Sequence, residues 1–438
     1  MSADVSARMR DDWNTRARED ANYYVAFGRR EQDEDEFFAT AAEVVASVEW
    51  ELKRLSGAGN PRARRALEIG CGPGRLIKPL SRNFGEIHGV DVSDEMIALA
   101  RERLRGVPHA HVHATNGAEL AQFADESFDL AYSYAVFQHI PSRDVVFGYL
   151  RELHRVLKPG GLARLQFNGL PQEAPQYDTW AGVRVSAQEI IDFTRQFDFQ
   201  VFALEGASTQ YMWTTWRKRD PGWRAALAEV AASHQAATRI RRITNAHNAE
   251  PAAPNRGRFA SISIWTERLP ADLDLFDLEV LLGDQAARPT YIGPADASGA
   301  QQVNVILPER DETGLIPVSL KWFGRDLCPP AILRVIPAGP QVPQIISVTD
   351  GVNLMSNQRI ETGSVKVAME EVVEPDRFAA WVDGEPVTGH EIFCTDPMPR
   401  RYEINFRIPE SVEPGRRMLE LSLGRRRFAP ISIEVCKA

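Results

Sequence analysis

Two periods organise the apolar positions in the first half of this chain. Between residues 33 and 55 they fall at Phe37, Ala41, Val44, Val45, Val48 and Leu52, close to one every 3.6 residues, which predicts an amphipathic helix. A polar, charged helix is predicted before it, over residues 9–20, carrying Trp13 and followed by the aromatic cluster Tyr23, Tyr24 and Phe27. Gly57 to Asn60 ends the second helix and Pro61 opens the next connection. From Ala66 the period shortens. Residues 66–69, 86–90, 110–114, 128–134 and 162–167 read as short strands, and helical stretches lie between them at about 75–83, after Ser93, and at about 143–157. Strands alternating with helices are the signature of a parallel sheet. Ser186 caps a further helix at about 187–196, and residues 199–205 and 211–217 read as a closing antiparallel pair, making seven strands.

After a helix or helical linker at 220–238, helical periods give way to short alternating runs with many prolines. A repeat is visible there. The run from Ile240 (IRRITNAHN) matches the run from Ile345 (IISVTDGVN), and the run from Val303 (VNVILPERDETG) matches that from Ile404 (INFRIPESVEPG). The spacing drifts little, so one unit of about a hundred residues stands twice, at 239–338 and 343–437. Short strands with turns between them, in a unit of that size, resemble small immunoglobulin-like β-sandwiches appended to many bacterial proteins.

The net charge of −9 argues against a nucleic-acid or anionic-membrane surface as the main partner. The four cysteines show no metal spacing, so no metal site is expected. No apolar run resembles a signal peptide or is long enough to span a bilayer, so a cytoplasmic protein is expected.

The candidate chemistry sits at residues 66–76, where Glu68 ends a strand and Gly70, Gly72 and Gly74 follow as G-x-G-x-G, with Cys71 inside the loop and Arg75 after it. Glycines there let the backbone turn sharply and approach a ligand. A carboxylate at the strand tip would repel a pyrophosphate and suits a ligand with positive charge and hydroxyls. The dinucleotide fingerprint G-x-G-x-x-G is absent, which argues against a nicotinamide enzyme. Asp91, about twenty residues on, ends the second strand, where an acid accepts ribose hydroxyls.

The glycine loop, Asp91, the segment FDLAYSYAVFQHIP from Phe128 and the segment LRELHRVLKPGGLARLQF from Leu150 together resemble class I S-adenosylmethionine-dependent methyltransferases, in order and over about residues 59–219. The resemblance implies a Rossmann-like seven-stranded domain, S-adenosylmethionine as cofactor (S-adenosylhomocysteine as product) and an N-terminal helical cover at 1–58. The expected architecture is thus multidomain, α/β followed by two all-β immunoglobulin-like units. It further implies that Glu68 and the Gly70–Gly74 loop hold the methionine end, Asp91 the ribose, and Met96 with Asn116 and Gly117 the adenine, with Cys71, Arg75, Val92 and Ser133 also at the cofactor. Ser133 to Phe137 would face the transferred methyl group. His139 is the one candidate general base, against a plain reading as a histidine that bonds backbone and shapes the floor of the site. Tyr23, Tyr24, Tyr177, Trp180, Arg184, Tyr211 and Trp213, with Phe137, are candidates for the acceptor mouth. An aromatic-rich mouth suits a small or glycan-like acceptor methylated on oxygen or nitrogen. The alternative is a non-catalytic scaffold that binds the cofactor and uses the β units to meet a protein partner or itself.

Overall fold

The structure, a computed structural model, describes residues 2–26, 30–55, 60–171, 177–234 and 237–436. Phe27 and Gly57 lie outside them. The chain divides into two units, one of residues 1–18 and 38–339, the other of residues 19–37 and 340–438.

In the first unit, strands β1 (Arg65–Ile69), β2 (Glu86–Asp91), β3 (Ala110–Ala114), β4 (Phe128–Ser133), β5 (Leu157–Phe167), β6 (Phe199–Glu205) and β7 (Met212–Lys218) form a sheet in the order β3-β2-β1-β4-β5-β7-β6. All neighbours are parallel except β7, which runs antiparallel to β5 and β6. Helices α1 (Ser2–Val25) and α2 (Glu34–Ala39), of which only residues 2–18 and 38–39 belong to this unit, precede α3 (Ala42–Glu51), α4 (Ile77–Leu80), α5 (Asp94–Arg103), α6 (Arg143–Val156), α7 (Ala187–Gln196) and α8 (Trp223–Ser233), which accompany the sheet. Burial on both faces leaves β1 and β4 without the strict apolar–polar alternation of a half-exposed strand, even Glu68 and Tyr132 being buried. Side-chain caps start the helices where the sequence predicts them. Ser93 accepts from the Met96 amide, and Ser186 with Glu189 closes a reciprocal capping box. The helix expected at 75–83 starts two residues later, at Ile77, and tightens into a 3₁₀ turn at Ser81–Asn83.

The repeat is visible in the strand pairing. The first copy comprises β8 (Arg239–Asn245), β9 (Ala252–Pro254), β10 (Ser261–Glu267), β11 (Leu278–Leu282), β12 (Gln285–Ile292), β13 (Ala300–Ile306), β14 (Gly314–Trp322), β15 (Arg325–Asp326) and β16 (Ala331–Ile336). The second comprises β17 (Gln344–Asp350), β18 (Arg359–Ile360), β19 (Ser364–Glu370), β20 (Phe378–Val382), β21 (Glu385–Pro386), β22 (His390–Asp396), β23 (Arg401–Arg407), β24 (Gly415–Leu423), β25 (Arg426–Arg427) and β26 (Ile431–Val435). The order β8-β10-β13-β12 returns as β17-β19-β23-β22, and β9-β16-β14-β11 returns as β18-β26-β24-β20. Even the single parallel contact recurs, β9 with β16 and β18 with β26.

Three boundary expectations need correction. The first β copy is not a separate domain, because its core residues and those of the seven-stranded sheet form one apolar cluster. Tyr291 of β12 pairs with Ala203 of β6, and its hydroxyl donates to the buried Glu51 of α3 at 2.8 Å. Segment 220–238 is not a mere linker. On α8, Leu227 and Ala231 are buried, and Arg224 bonds the fully buried Asp274, whose carboxylate also accepts from the Val201 amide at 2.8 Å. The cover expected over residues 1–58 is split. Residues 19–37 belong with the second β copy, where the Arg30 amide donates to Asn353 and the Arg30 guanidinium lies 4.4 Å over the Tyr23 ring. The second unit has its own core, from Val348 and Val365 to Leu421 and Ile433.

Candidate functional site

The glycine loop starts where β1 ends. Gly70, Gly72 and Gly74 all have positive φ (69°, 50° and 86°), a region closed to most side chains. The Gly70 and Cys71 amides donate to the Val90 carbonyl, which ties the loop to the end of β2. A methyl group on Gly70 would meet Val136 at 2.2 Å, so this turn tolerates only glycine.

Two carboxylates flank the loop. Glu68 is buried on β1 and accepts a 2.8 Å hydrogen bond from the Tyr132 hydroxyl. Burial pushes its pKa up to about 8, against the pull of Tyr132 and of the Arg75 charge. Asp91 ends β2. One of its oxygens accepts from the Gly72 amide and the other from the Ser93 amide, both at 2.9 Å. Each oxygen keeps a second lone pair that can take a hydroxyl proton. Desolvation raises the Asp91 pKa. Arg75 is buried, stacks 5.4 Å from Tyr134 and donates to Thr40. Cys71 is buried and its thiol pKa is pushed up by burial, so it fills space and is not a nucleophile. Carboxylates and backbone amides of this kind fit a cationic, hydroxyl-bearing nucleoside and not a phosphate.

Val92 is buried beneath Gly117, and Met96 is buried at the start of α5. Asn116 departs from expectation. Its side-chain oxygen accepts from the backbone amides of Ala118 and Glu119, both at 3.0 Å, in a local turn. Both lone pairs of that oxygen are thus taken up within the turn. A short polar side chain before a turn competes for nearby amides, and here it wins. Ser133 likewise donates to the Ile69 carbonyl at 2.9 Å and knits β4 to β1.

Residues 2–18 of α1 lie across the same end of the sheet. Arg10 donates to the Thr115 carbonyl at 2.7 Å, and the Asn14 oxygen accepts from Ser93 at 2.7 Å. The Trp13 ring stands edge-on to His139 at 5.4 Å. Arg16 lies 4.8 Å over Trp13 and 5.4 Å over Trp180, and donates to Thr179.

Beyond β4, Tyr134 and Trp213 stack nearly parallel at 5.4 Å, and Arg164 lies 4.6 Å over Trp213. Tyr211 and Trp180 are exposed, whereas Phe137 is buried against Phe167. Tyr177 packs against the core, and Arg184 donates to the Pro171 carbonyl. Tyr23 and Tyr24 belong to the other unit, since the chain leaves the first unit after Arg18. His139 donates from Nδ1 to the Trp180 carbonyl at 2.7 Å and faces the Gln138 amide with Nε2 at 3.2 Å. Burial, joined by the Arg16 charge, lowers its pKa to about 4. Sequence reading passed over Gln138 and Gln166, both buried and bonded to each other at 3.1 Å. The available signal was a glutamine between two apolar residues, Leu165 and Phe167, at the end of β5.

No group of three metal-ligating side chains is assembled among the described residues, and no described helix is long and apolar enough to cross a membrane.

Residues 67–165 match the family model described as a methyltransferase domain. Among curated proteins, phosphoethanolamine N-methyltransferase 2 of Caenorhabditis elegans is 31% identical over 153 residues, 33% of this chain and 34% of that one. A ubiquinone biosynthesis O-methyltransferase of Ruegeria pomeroyi is 34% identical over 122 residues, 27% of this chain and 47% of the relative. The chain thus spans a third to a half of the length of these relatives. A solved structure of Haemonchus contortus phosphoethanolamine N-methyltransferase 1 with phosphoethanolamine and S-adenosylhomocysteine is 15% identical, covers 51% of each chain and has a TM-score of 0.38. Over residues 67–165 this chain is thus similar to a methyltransferase domain.

Proposed function

We propose that this protein transfers a methyl group from S-adenosylmethionine to oxygen or nitrogen of a small-molecule or glycan-like acceptor. The observation that carries this reading is the pair Glu68 and Asp91 on either side of the positive-φ loop, a constellation that selects positive charge and vicinal hydroxyls. When bound, the cofactor supplies a methyl group on a cationic sulfur that an acceptor lone pair can displace. No nucleophilic side chain is needed. Glu68 and the loop would hold the methionine end, Asp91 the ribose, and Val92, Met96 and Gly117 would bracket the base. The first half of α1 would exclude water. Trp13, Tyr134, Trp180, Tyr211 and Trp213 would offer flat faces to the acceptor, and orientation of this kind is worth roughly 7 to 11 kcal/mol in favourable cases. We read the two β copies as immunoglobulin-like units that serve docking or self-association.

Calorimetry with S-adenosylmethionine and S-adenosylhomocysteine tests the reading. Micromolar binding of both supports it, and no heat at millimolar concentration overturns it. Turnover on a panel of phenolic, amine and sugar acceptors then separates an enzyme from a binding scaffold.

A further inference from the structure

A chain of side-chain amides runs from β5 to His139, and its orientation can be worked out donor by donor. The Gln166 Nε2 faces three acceptors: the Phe167 carbonyl at 2.8 Å, the Gln210 carbonyl at 3.0 Å and the Gln138 Oε1 at 3.1 Å. Its Oε1 faces one donor, the Ala135 amide at 2.9 Å. Reversing this amide would set an oxygen against two carbonyls and an N–H against an N–H, so the orientation is fixed. Gln138 must then offer its oxygen to Gln166 and its NH₂ to His139 Nε2 at 3.2 Å. An N–H directed at Nε2 requires a lone pair there. The imidazole proton accordingly sits on Nδ1, where it meets the Trp180 carbonyl at 2.7 Å. Ala135, at the head of the chain, has φ of +56°, a conformation its neighbours must hold in place.

The far end of this chain is a wall. The Gly182 amide donates to the Gln138 carbonyl at 2.8 Å and the Val183 amide to the Ile140 carbonyl at 2.9 Å. Segment 178–183 is therefore laced to the segment that carries His139. A methyl group on Gly182 would meet the Ile140 nitrogen at 2.6 Å, so the two backbones are in close contact.

We infer that Gln166 and Gln138 are positioning residues. They hold His139 as its neutral Nδ1–H tautomer, with Nε2 occupied, so that the imidazole fastens the Trp180 segment as one wall of the acceptor mouth and does not act as a base. The charged groups facing the ring are Arg16 from α1, which opposes protonation, and Asp178 from the wall segment, which favours it; Trp13 and Trp180 cover the ring. Naming this surface an acceptor wall rests on the methyltransferase reading; the tautomer does not.

The full chain, labelled with ¹⁵N-histidine, is read by long-range ¹H–¹⁵N spectra between pH 5.5 and 9, with and without S-adenosylhomocysteine, and His139→Gln assigns the signal. The expected result is an Nδ1-protonated, Nε2-bare ring whose shifts stay constant across this range. Gln166→Leu releases Gln138 to turn its oxygen toward the ring, and His139 should then populate the Nε2–H form; Gln138→Leu removes the donor to Nε2 without touching β5. An Nε2–H signal in the wild type, titration near 6.5, or nitrogen shifts unchanged in both folded variants overturns the inference. If instead S-adenosylhomocysteine fails to bind the wild type, the functional reading falls while the tautomer result stands.

Discussion

The Tyr132 hydroxyl donates to the Glu68 carboxylate at 2.8 Å, inside the sheet and one strand away from the glycine loop. This contact lowers the cost of a charge that burial opposes, yet burial wins and the Glu68 pKa rises to about 8. A cationic ligand beside it reverses the balance. At pH 7 the free site therefore holds a proton that binding should expel. Calorimetry in buffers of different ionisation enthalpy should show proton release approaching one per cofactor at pH 7, declining above pH 8.

The same shift sets a stability slope. The folded Glu68 keeps a proton that the unfolded chain, near 4.5, has already lost, so the folded state binds more protons across pH 4.5 to 8. Stability contributed by this group falls as pH rises through that window. Glu68→Gln should flatten that part of the melting-temperature profile and, at pH 7, weaken S-adenosylmethionine binding by about tenfold or more, roughly 1.4 kcal/mol.

Asp91→Asn should be the sharper lesion for binding. An NH₂ would replace one acceptor of the Gly72 or Ser93 amide, costing about 1 to 2 kcal/mol of stability. The ribose would lose a charged acceptor at the same time. A loss of at least tenfold in S-adenosylhomocysteine affinity, with the melt still cooperative, is expected; unchanged affinity contradicts the ribose assignment.

Two glycines of one loop should respond differently. Gly70→Ala forces a methyl against Val136, whereas a methyl on Gly74 meets Leu104 at an ordinary 3.5 Å and incurs only the cost of positive φ, about 1 kcal/mol. Thermal melts should rank Gly70→Ala well below Gly74→Ala, and adding Val136→Ala should recover part of the loss.

Truncation separates the two β copies. A chain ending at residue 238 strips Arg224 of Asp274 and Asp277, removes the Tyr291 hydrogen bond to the buried Glu51, and bares the apolar surface that the first β copy covers. It should aggregate or melt without cooperativity. A chain ending at Gly339 keeps the whole first apolar cluster and should melt as one unit and bind S-adenosylhomocysteine.

What the residues determined unaided was everything carried by local pattern. The alternation of strand and helix, the caps at Ser93 and Ser186, the spaced acids and glycines and the repeat in the second half all rest on neighbours close in sequence. Tertiary structure decided the rest, because partners far apart in the chain compete for the same atoms. Asn116 surrendered its oxygen to its own turn, His139 was bound at both nitrogens by Gln138 and Trp180, and Tyr23 and Tyr24 went to a unit whose strands begin more than three hundred residues later. The first β copy alternates like the second, yet one is fused to the seven-stranded sheet and the other has its own core. That difference lies in a few groups, the buried Tyr291 and Asp274 and the half-buried Arg224, whose meaning exists only once Glu51 and Val201 stand beside them.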